Sequence, residues 1–229
     1  MPLRPVVYAH RGASQRAKEN TINSFKLAAE IGADGVELDV WKSLDGELMV
    51  HHDPVVKGLL IERARAKDLP NYVPTLSEAL DACLGLKVNI EIKAAPGGLQ
   101  GALEIADGLI DLLRARPEPA SQWVISSFEH EALDRIQKKT SEFFTGLLFW
   151  NESWEILLRH ALENGHGALH PHEALVDGEM RAATQLEGIH LNTWTVNDQL
   201  RVSELIELGI DGLITDVPDE ALRTFELMN

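Results

Sequence analysis

Residues 32–53 of the chain read GADGVELDVWKSLDGELMVHHD. Within them, the run Val36–Val40 alternates apolar and acidic residues and contains two valines, which is typical of a β-strand. A second strand-like run, Glu47–His52, follows after only Lys42–Gly46. That gap is far too short for the helix that joins two parallel strands, so the Asp-Gly step within it predicts a hairpin turn.

The hairpin predicts which side chains meet. If its turn centres on Asp45-Gly46, residues whose numbers sum to 91 face each other, which sets His52 opposite Asp39. Glu37 lies two residues before Asp39 and therefore on the same face of the strand. His51 alternates with His52 and is expected to face away.

The rest of the chain alternates short apolar runs, rich in β-branched residues, with longer amphipathic stretches, which predicts repeated βα units and a parallel sheet. The predicted strands are Val6–His10, Val36–Val40, Val88–Lys93, Trp123–Phe128, Phe144–Phe149, Ala168–Pro171, Ile189–Trp194 and Gly212–Thr215. With the hairpin set aside, eight βα units remain, the count of a closed (β/α)8 TIM barrel.

We therefore predict an α/β fold in which residues 1–229 form a single TIM-barrel domain, with a β-hairpin excursion and a short loop insertion after the second strand. Asn20-Thr21 and Asn197-Asp198 are expected to cap helix amino termini, and Gly32 and Gly209 to end helices. A doubly wound open sheet is the alternative; it is disfavoured because no Gly-rich phosphate loop follows any strand.

Charge and composition exclude several classes of function. The net charge of −15 argues against a nucleic-acid partner or stable association with an anionic membrane, because like charges repel. No signal peptide is expected at the amino terminus, and no run of about eighteen apolar residues predicts a transmembrane helix. Cys83 is the only cysteine, so no intrachain disulfide can form, which agrees with a cytoplasmic location.

Ionisable residues interrupt the predicted strands at their carboxyl ends, where the working residues of a TIM barrel lie. Glu37, Asp39 and Glu91 would project from adjacent strands, and such an oxygen-rich set suits a hard divalent cation, Mg²⁺ or Ca²⁺. Zinc is disfavoured there because no HxxxH or Cys cluster is present. The alternative is an ion-pair network of the three carboxylates with Arg11 and Lys93.

His10 and His52 end two strands beside acidic neighbours, where a general acid and a general base would act near neutral pH. Arg11 and Lys93 would neutralise a phosphate. His170 and His172 could be structural or belong to a pocket. The remaining histidines and the tryptophans other than Trp194 are interpreted as structural; they include His130, His160, His166, His190, Trp41, Trp123, Trp150 and Trp154. Asp216 is predicted to cap the last helix.

Taken in order, a series of segments resembles the glycerophosphodiester phosphodiesterase family. The segments are His10-Arg11-Gly12, Glu19-Asn20-Thr21, Gly32–Val40, Asp45-Gly46, His52-Asp53, Pro74-Thr75-Leu76, Glu91-Ile92-Lys93, Ser127-Phe128, Trp194–Asn197 and Gly209–Asp216. Each one alone is weak evidence, but the ordered set spans nearly the whole chain and is specific.

The resemblance implies a phospholipase-C-like barrel that cleaves a small-molecule phosphodiester to sn-glycerol 3-phosphate and an alcohol. It also implies that His10 and His52 are the acid/base pair, that Glu37, Asp39 and Glu91 hold the cation, and that Arg11 and Lys93 contact phosphate. By the same resemblance, a further set would shape the substrate pocket: Glu19, Asn20, Phe128 and Trp194.

The chain departs from the family pattern in Pro54–Val73, which is shorter than usual and contains an apolar-basic run. We interpret Glu62–Lys67 within it as a solvated loop or helix face. The segment leaves open a lysophospholipase-D-like or sphingomyelinase-D-like activity on lipid phosphodiesters. A non-catalytic barrel that only binds a phosphorylated ligand is the other alternative.

Overall fold

The computed structural model describes residues 4–94 and 97–228. The strands are β1 (Val6–His10), β2 (Gly35–Lys42), β3 (Leu48–Val50), β4 (Val55–Val56), β5 (Leu59–Leu60), β6 (Lys87–Ile92), β7 (Trp123–Ser127), β8 (Phe144–Phe149), β9 (Ala168–Pro171), β10 (His190–Thr193) and β11 (Gly212–Thr215). The α-helices are α1 (Ile22–Ile31), α2 (Leu76–Ala82), α3 (Gly98–Arg114), α4 (His130–Lys139), α5 (Trp154–Asn164), α6 (Gly178–Glu187), α7 (Gln199–Leu208) and α8 (Pro218–Leu227).

Within the described residues, eight parallel strands form a closed barrel in the order β1-β2-β6-β7-β8-β9-β10-β11. The barrel closes because β1 pairs with β11 on one side and with β2 on the other. Helices surround the strands, so the predicted α/β TIM barrel is confirmed. Among the helices of the described residues, none is long and apolar enough to cross a lipid bilayer.

Local sequence signals set the helix ends. Thr21 caps α1 and Thr75 caps α2, each through a reciprocal capping box with the residue three positions on. Asp198 caps α7, and Gly32 and Gly209 end α1 and α7 in the left-handed conformation that favours glycine. The caps predicted for α1 and α7 are therefore confirmed.

Alternation along β2 positions the future site. Val36, Leu38 and Val40 are fully buried in the main apolar core. Because neighbouring side chains on a strand point to opposite faces, the residues between them, Glu37 and Asp39, point the other way, into the barrel. One strand thus supplies both the packing that holds it and two buried carboxylates.

The predicted hairpin exists, but its predicted register is wrong. β3 pairs antiparallel with β2 so that Val40 faces Val50 and Lys42 faces Leu48, a shift of one residue from the expected pairing. The cause is a three-residue turn rather than a two-residue one: Ser43 N–H donates to the Glu47 carbonyl across it. In this register the residue whose backbone meets Asp39 is His51, not His52.

The excursion that follows β3 is more ordered than the loop that we predicted for Pro54–Val73. It contains the two-stranded β4–β5 sheet and two short 3₁₀ turns. Its buried apolar residues form a second, smaller core that also includes residues of the hairpin: Trp41, Met49, Val56, Ile61, Ala64, Leu69 and Val73. Within the predicted solvated run Glu62–Lys67, Ala64 is buried in this core.

Candidate active site

An open cavity of about 100 Å³ lies at the carboxyl ends of the barrel strands. Its lining is mostly polar on one side and apolar on the other: His10, Arg11, Glu37, His52, Asn89, Glu91, Lys93, Ser126, Phe128, Leu148, Trp194, Thr195 and Ile214. Strand register explains why the polar residues converge. β1 pairs His10 with Glu37, and β6 pairs Glu91 with Asp39.

Three buried carboxylates lie at one side of the cavity: Glu37 and Glu91 line it, and Asp39 contacts the lining residue Lys93. Glu37, Asp39 and Glu91 each present an oxygen within 4.8 Å of the other two. Burial, then the charge of Asp39, raises the pKa of Glu37 to about 8. One of the Glu37 oxygens, Oε1, has no hydrogen-bond partner among the described residues. Burying ionised carboxylates costs free energy unless a cation binds them.

Two side-chain cations already contact these carboxylates. Lys93 Nζ lies 2.9 Å from Asp39 Oδ1 and 2.7 Å from Glu91 Oε1, and Arg11 Nε lies 3.5 Å from Asp39 Oδ2. Burial by itself lowers the pKa of Lys93, but Glu91 and Asp39 outweigh it and keep the ammonium charged. The ion pairs of the alternative interpretation are therefore present, but two side-chain cations can compensate only two of the three carboxylates when all three are ionised.

His10 is held by a residue from the other end of the chain. Its Nδ1 lies 2.7 Å from Asp216 Oδ1, and its Nε2 lies 3.9 Å from Glu37 Oε2. Burial lowers the pKa of His10, but the hydrogen bond with Asp216 and the charge of Glu37 outweigh burial and place it above the ordinary value. Ser14 Oγ and Asn197 Nδ2 also donate to Asp216.

Asp216 does not have the role that we predicted for it. Helix α8 begins after Val217, and no side chain caps it. Burial alone raises the pKa of Asp216, but the hydrogen bond and charge of His10 outweigh it and lower this pKa to about 2. Asp216 is therefore an ionised carboxylate that fixes the ring of His10. The two residues are too far apart in the sequence for this pairing to be identified from residue spacing.

His52 reaches the cavity despite the shifted register, because β3 ends at Val50 and the chain leaves the sheet there. Its Nδ1 lies 2.8 Å from Asp53 Oδ1, and its carbonyl accepts from Trp41 Nε1 at 3.1 Å. Burial, with the charges of Lys93 and Arg11, lowers the pKa of His52 despite the opposing effect of Asp39. The neighbouring His51 instead contacts the Asp53 carbonyl through Nδ1.

The turn after β1 brings Arg11 to the cavity. Arg11 has a φ of 56° and Gly12 a φ of 79°. A Cβ on Gly12 would collide with Ser24, so the tight passage requires glycine. The Arg11 guanidinium binds Glu19 at 2.9 Å, and its backbone N–H donates to Glu37 at 3.1 Å.

The four residues expected to shape the pocket occupy two different positions. Phe128 and Trp194 line the cavity, with their rings edge to face and 5.5 Å apart. Asn20 is buried behind it and donates to Asp39 Oδ2 at 2.7 Å. Glu19 is partly exposed and contacts Arg11. The last two therefore support the residues of the cavity wall.

Two further aromatic side chains lie next to Trp194. We interpreted Trp150 as structural, and we left His172 open between a structural role and a pocket role. Trp150 is 57% exposed and lies 4.3 Å from the His172 ring and 5.5 Å from the Trp194 ring, centroid to centroid. His172 therefore lies beside Trp194, although neither it nor Trp150 is among the residues that line the cavity. His170 is fully buried and accepts from Asn192, and burial lowers its pKa to about 3, so this histidine is a neutral part of the barrel interior.

Comparisons with known proteins agree with this geometry. A family model described as "Glycerophosphoryl diester phosphodiesterase family" matches residues 10–220. The glycerophosphodiester phosphodiesterase of Caldanaerobacter subterraneus subsp. tengcongensis is 33% identical, with 96% of this chain and 98% of the relative covered. That of Bacillus altitudinis is 27% identical, with 97% of this chain and 98% of the relative covered.

Solved structures give the same result. An Oleispira antarctica phosphodiesterase, in complex with the product sn-glycerol-3-phosphate, superposes with a TM-score of 0.86 at 25% identity over 97% of each chain. The Thermotoga maritima glycerophosphodiester phosphodiesterase superposes with a TM-score of 0.81 at 29% identity over 100% of each chain. The chain therefore belongs to the glycerophosphoryl diester phosphodiesterase family and is a phosphoric diester hydrolase.

Proposed function

We propose that this enzyme hydrolyses glycerophosphodiesters to sn-glycerol 3-phosphate and an alcohol, with a divalent cation, Mg²⁺ or Ca²⁺, and with His10 and His52 as the acid/base pair. The observation that carries the proposal is that two histidines and two carboxylates, Glu37 and Glu91, line one cavity, with Asp39 grouped beside those carboxylates. The product named in the Oleispira structure supports glycerol phosphate as the retained part of the substrate.

The residues fit a hard cation. Glu37, Asp39 and Glu91 offer only oxygen ligands, and the unpartnered Oε1 of Glu37 is a buried acceptor that a cation would satisfy. Arg11 and Lys93 compensate two of the three negative charges. A divalent ion at this position supplies positive charge that polarises the phosphoryl oxygens and stabilises the charge that develops on them.

The protein's own groups account for positioning and proton transfer. His10 is oriented through Nδ1 by Asp216, which leaves Nε2 to exchange a proton in the cavity. His52 is oriented through Nδ1 by Asp53 and exchanges its proton through Nε2 in the same way. One ring takes the proton of the attacking hydroxyl, and the other gives a proton to the departing alkoxide.

The remaining lining residues hold the substrate. Arg11 and Lys93 line the cavity and donate hydrogen bonds to the non-bridging phosphate oxygens. Phe128 and Trp194 pack against the carbon face of the glycerol. Because the polar and apolar sides of the cavity are distinct, a bound glycerophosphodiester would have one defined orientation.

The test is release of glycerol 3-phosphate from glycerophosphocholine or glycerophosphoethanolamine, with Mg²⁺ or Ca²⁺ and with EDTA. We expect activity only with the cation. His10→Ala and His52→Ala should each lower kcat by about 10²- to 10⁴-fold, the usual contribution of general acid–base catalysis. His51→Ala is the matched control, because His51 adjoins His52 but is absent from the cavity lining.

Each alternative predicts a different result. Faster cleavage of a lysophospholipid than of either glycerophosphodiester would make the enzyme a lipid phosphodiesterase. Tight binding of glycerophosphocholine without turnover in the presence of cation would make it a binding protein. Full activity of either histidine variant would remove the proposed acid/base mechanism, even if hydrolysis occurred.

A further inference from the structure

A second group of ligand-type side chains lies between α4 and α5, outside the cavity. Asp134 Oδ1 lies 2.9 Å from His160 Nε2 and 2.9 Å from His166 Nε2. The two imidazole rings are parallel within 1°, with centroids 5.5 Å apart. The two histidines, which we interpreted as structural, both point at one carboxylate oxygen in the fold.

Three separate elements supply this group. Asp134 lies in α4 and His160 in α5, and His166 follows Gly165, which ends α5 in the left-handed conformation. The His166 backbone N–H donates to the Ala161 carbonyl, which fixes the chain as it turns back toward β9. His166 precedes β9, so the group lies toward the amino-terminal end of the barrel, opposite the catalytic mouth.

The second layer around His166 suits a metal ligand. His166 Nδ1 lies 2.9 Å from the buried Thr145 hydroxyl, which in turn accepts from Gln137 Nε2 at 2.9 Å. A ligating imidazole usually donates its other ring N–H to a fixed oxygen. If the ring proton of His166 is on Nδ1 rather than on Nε2, the Nδ1–H group donates a hydrogen bond to Thr145 Oγ1. The lone pair of Nε2 then points to the ion.

The ligand types select a class of ion. Two imidazole nitrogens and one carboxylate oxygen are the donors that zinc and its neighbours prefer, whereas the all-oxygen set at the mouth suits Mg²⁺ or Ca²⁺. His166 is fully buried, but the His160 side chain is 31% exposed. The exposed side gives an ion an entry path and room for water as a fourth ligand.

We propose that Asp134, His160 and His166 bind one divalent transition-metal ion, of which zinc is the best fit, and that this ion links α4 to the end of α5. The site is structural: it joins two neighbouring outer helices and touches none of the residues that line the cavity.

The experiment titrates Zn²⁺ into the purified full chain, previously stripped of metal, in a large excess of Mg²⁺ that fills the carboxylate site. We expect one zinc equivalent by calorimetry and a rise in Tm. His160→Gln keeps a polar side chain of similar reach but removes the imidazole, and should weaken zinc binding by on the order of 100-fold. His190→Gln, at an exposed histidine outside the group, should bind zinc like the parent chain.

Cobalt distinguishes this group from the carboxylate group at the mouth of the barrel. Co²⁺ held by two imidazoles and a carboxylate in tetrahedral geometry gives visible d–d absorption, which octahedral oxygen coordination gives only weakly. The absorption should appear in the parent chain and in Glu91→Gln, and should disappear in His160→Gln. Unchanged zinc affinity in His160→Gln, or no zinc binding once Mg²⁺ is in excess, would overturn the proposal.

Discussion

Asp216 holds the imidazole of His10 although the two residues lie 206 positions apart in the chain. The barrel brings them together because β11, which ends one residue before Asp216, pairs directly with β1. Asp216 makes three side-chain hydrogen bonds, with His10, Ser14 and Asn197, and these bonds fix the carboxylate itself. We therefore assign Asp216 a positioning role toward His10.

Asp216→Asn tests that role. Removing the negative charge should lower the pKa of His10, because the Asp216 hydrogen bond and charge are among the interactions that raise it against burial. The kcat/KM ionisation that belongs to His10 should therefore shift to lower pH, and kcat should fall by roughly 10- to 100-fold as the ring loses its fixed orientation. Ser14→Ala is the control: it removes one hydrogen bond to Asp216 but no charge, and should leave the pH profile nearly in place.

The β2–β3 hairpin and the excursion after it determine the position of His52. The backbone at this residue is anchored by Trp41, whose indole N–H donates to the His52 carbonyl while its ring packs in the small second core. His52 follows the last residues of β3, where sheet pairing no longer holds the chain. The position of this histidine therefore depends on packing outside the barrel.

Trp41→Phe should lower kcat/KM by about tenfold, because it removes the anchoring hydrogen bond and keeps an aromatic ring in the small core. Trp123→Phe is a matched control, since the Trp123 indole N–H is buried without a hydrogen-bond partner among the described residues. That substitution should cost stability through lost volume but leave kcat/KM close to the parent value. Equal losses of activity in the two variants would contradict the anchoring role.

Across the whole fold, we expect the buried carboxylates to link folding to binding of the proposed cation. Without a cation, burial and Asp39 raise the pKa of Glu37 to about 8 from the ordinary 4.5. A raised carboxyl pKa contributes stability below the unfolded value, and this contribution is lost as pH rises through the folded value. Metal-free protein should therefore lose stability between about pH 4.5 and 8, by at most about 1.4 kcal/mol per pH unit from this group.

Mg²⁺ should oppose that loss, because a cation favours the ionised carboxylates. At about 100 times its dissociation constant, the ion should add about 2.7 kcal/mol to the free energy of unfolding, more at pH 8 than at pH 5. Urea unfolding at the two pH values, with Mg²⁺ and with EDTA, measures the effect. Glu91→Gln should remove most of it, while Glu142→Gln, at an exposed ion pair with Arg114, should not.

The eight barrel strands could be predicted from sequence because each is an apolar, β-branched run between helical stretches, a pattern that local periodicity reveals. The convergence of Glu37, Asp39 and Glu91 followed from their places on neighbouring strands. The hairpin register could not be predicted, because the Asp-Gly step suggested a two-residue turn. The Ser43–Glu47 hydrogen bond instead closes a turn of three residues. The partners of Asp216 and His166 depend on tertiary contacts, which short-range spacing does not show.

The ion pairs at the mouth also bear on turnover. When Glu37, Asp39 and Glu91 are all ionised, Arg11 and Lys93 leave one negative charge uncompensated, setting the histidines aside. With the proposed divalent ion that sum becomes one positive charge, which a phosphodiester monoanion neutralises. The phosphomonoester formed from it carries nearly one charge more near neutral pH. Under the proposed mechanism, hydrolysis would therefore turn an electrically matched occupant into one with an excess negative charge, which would favour departure of the product.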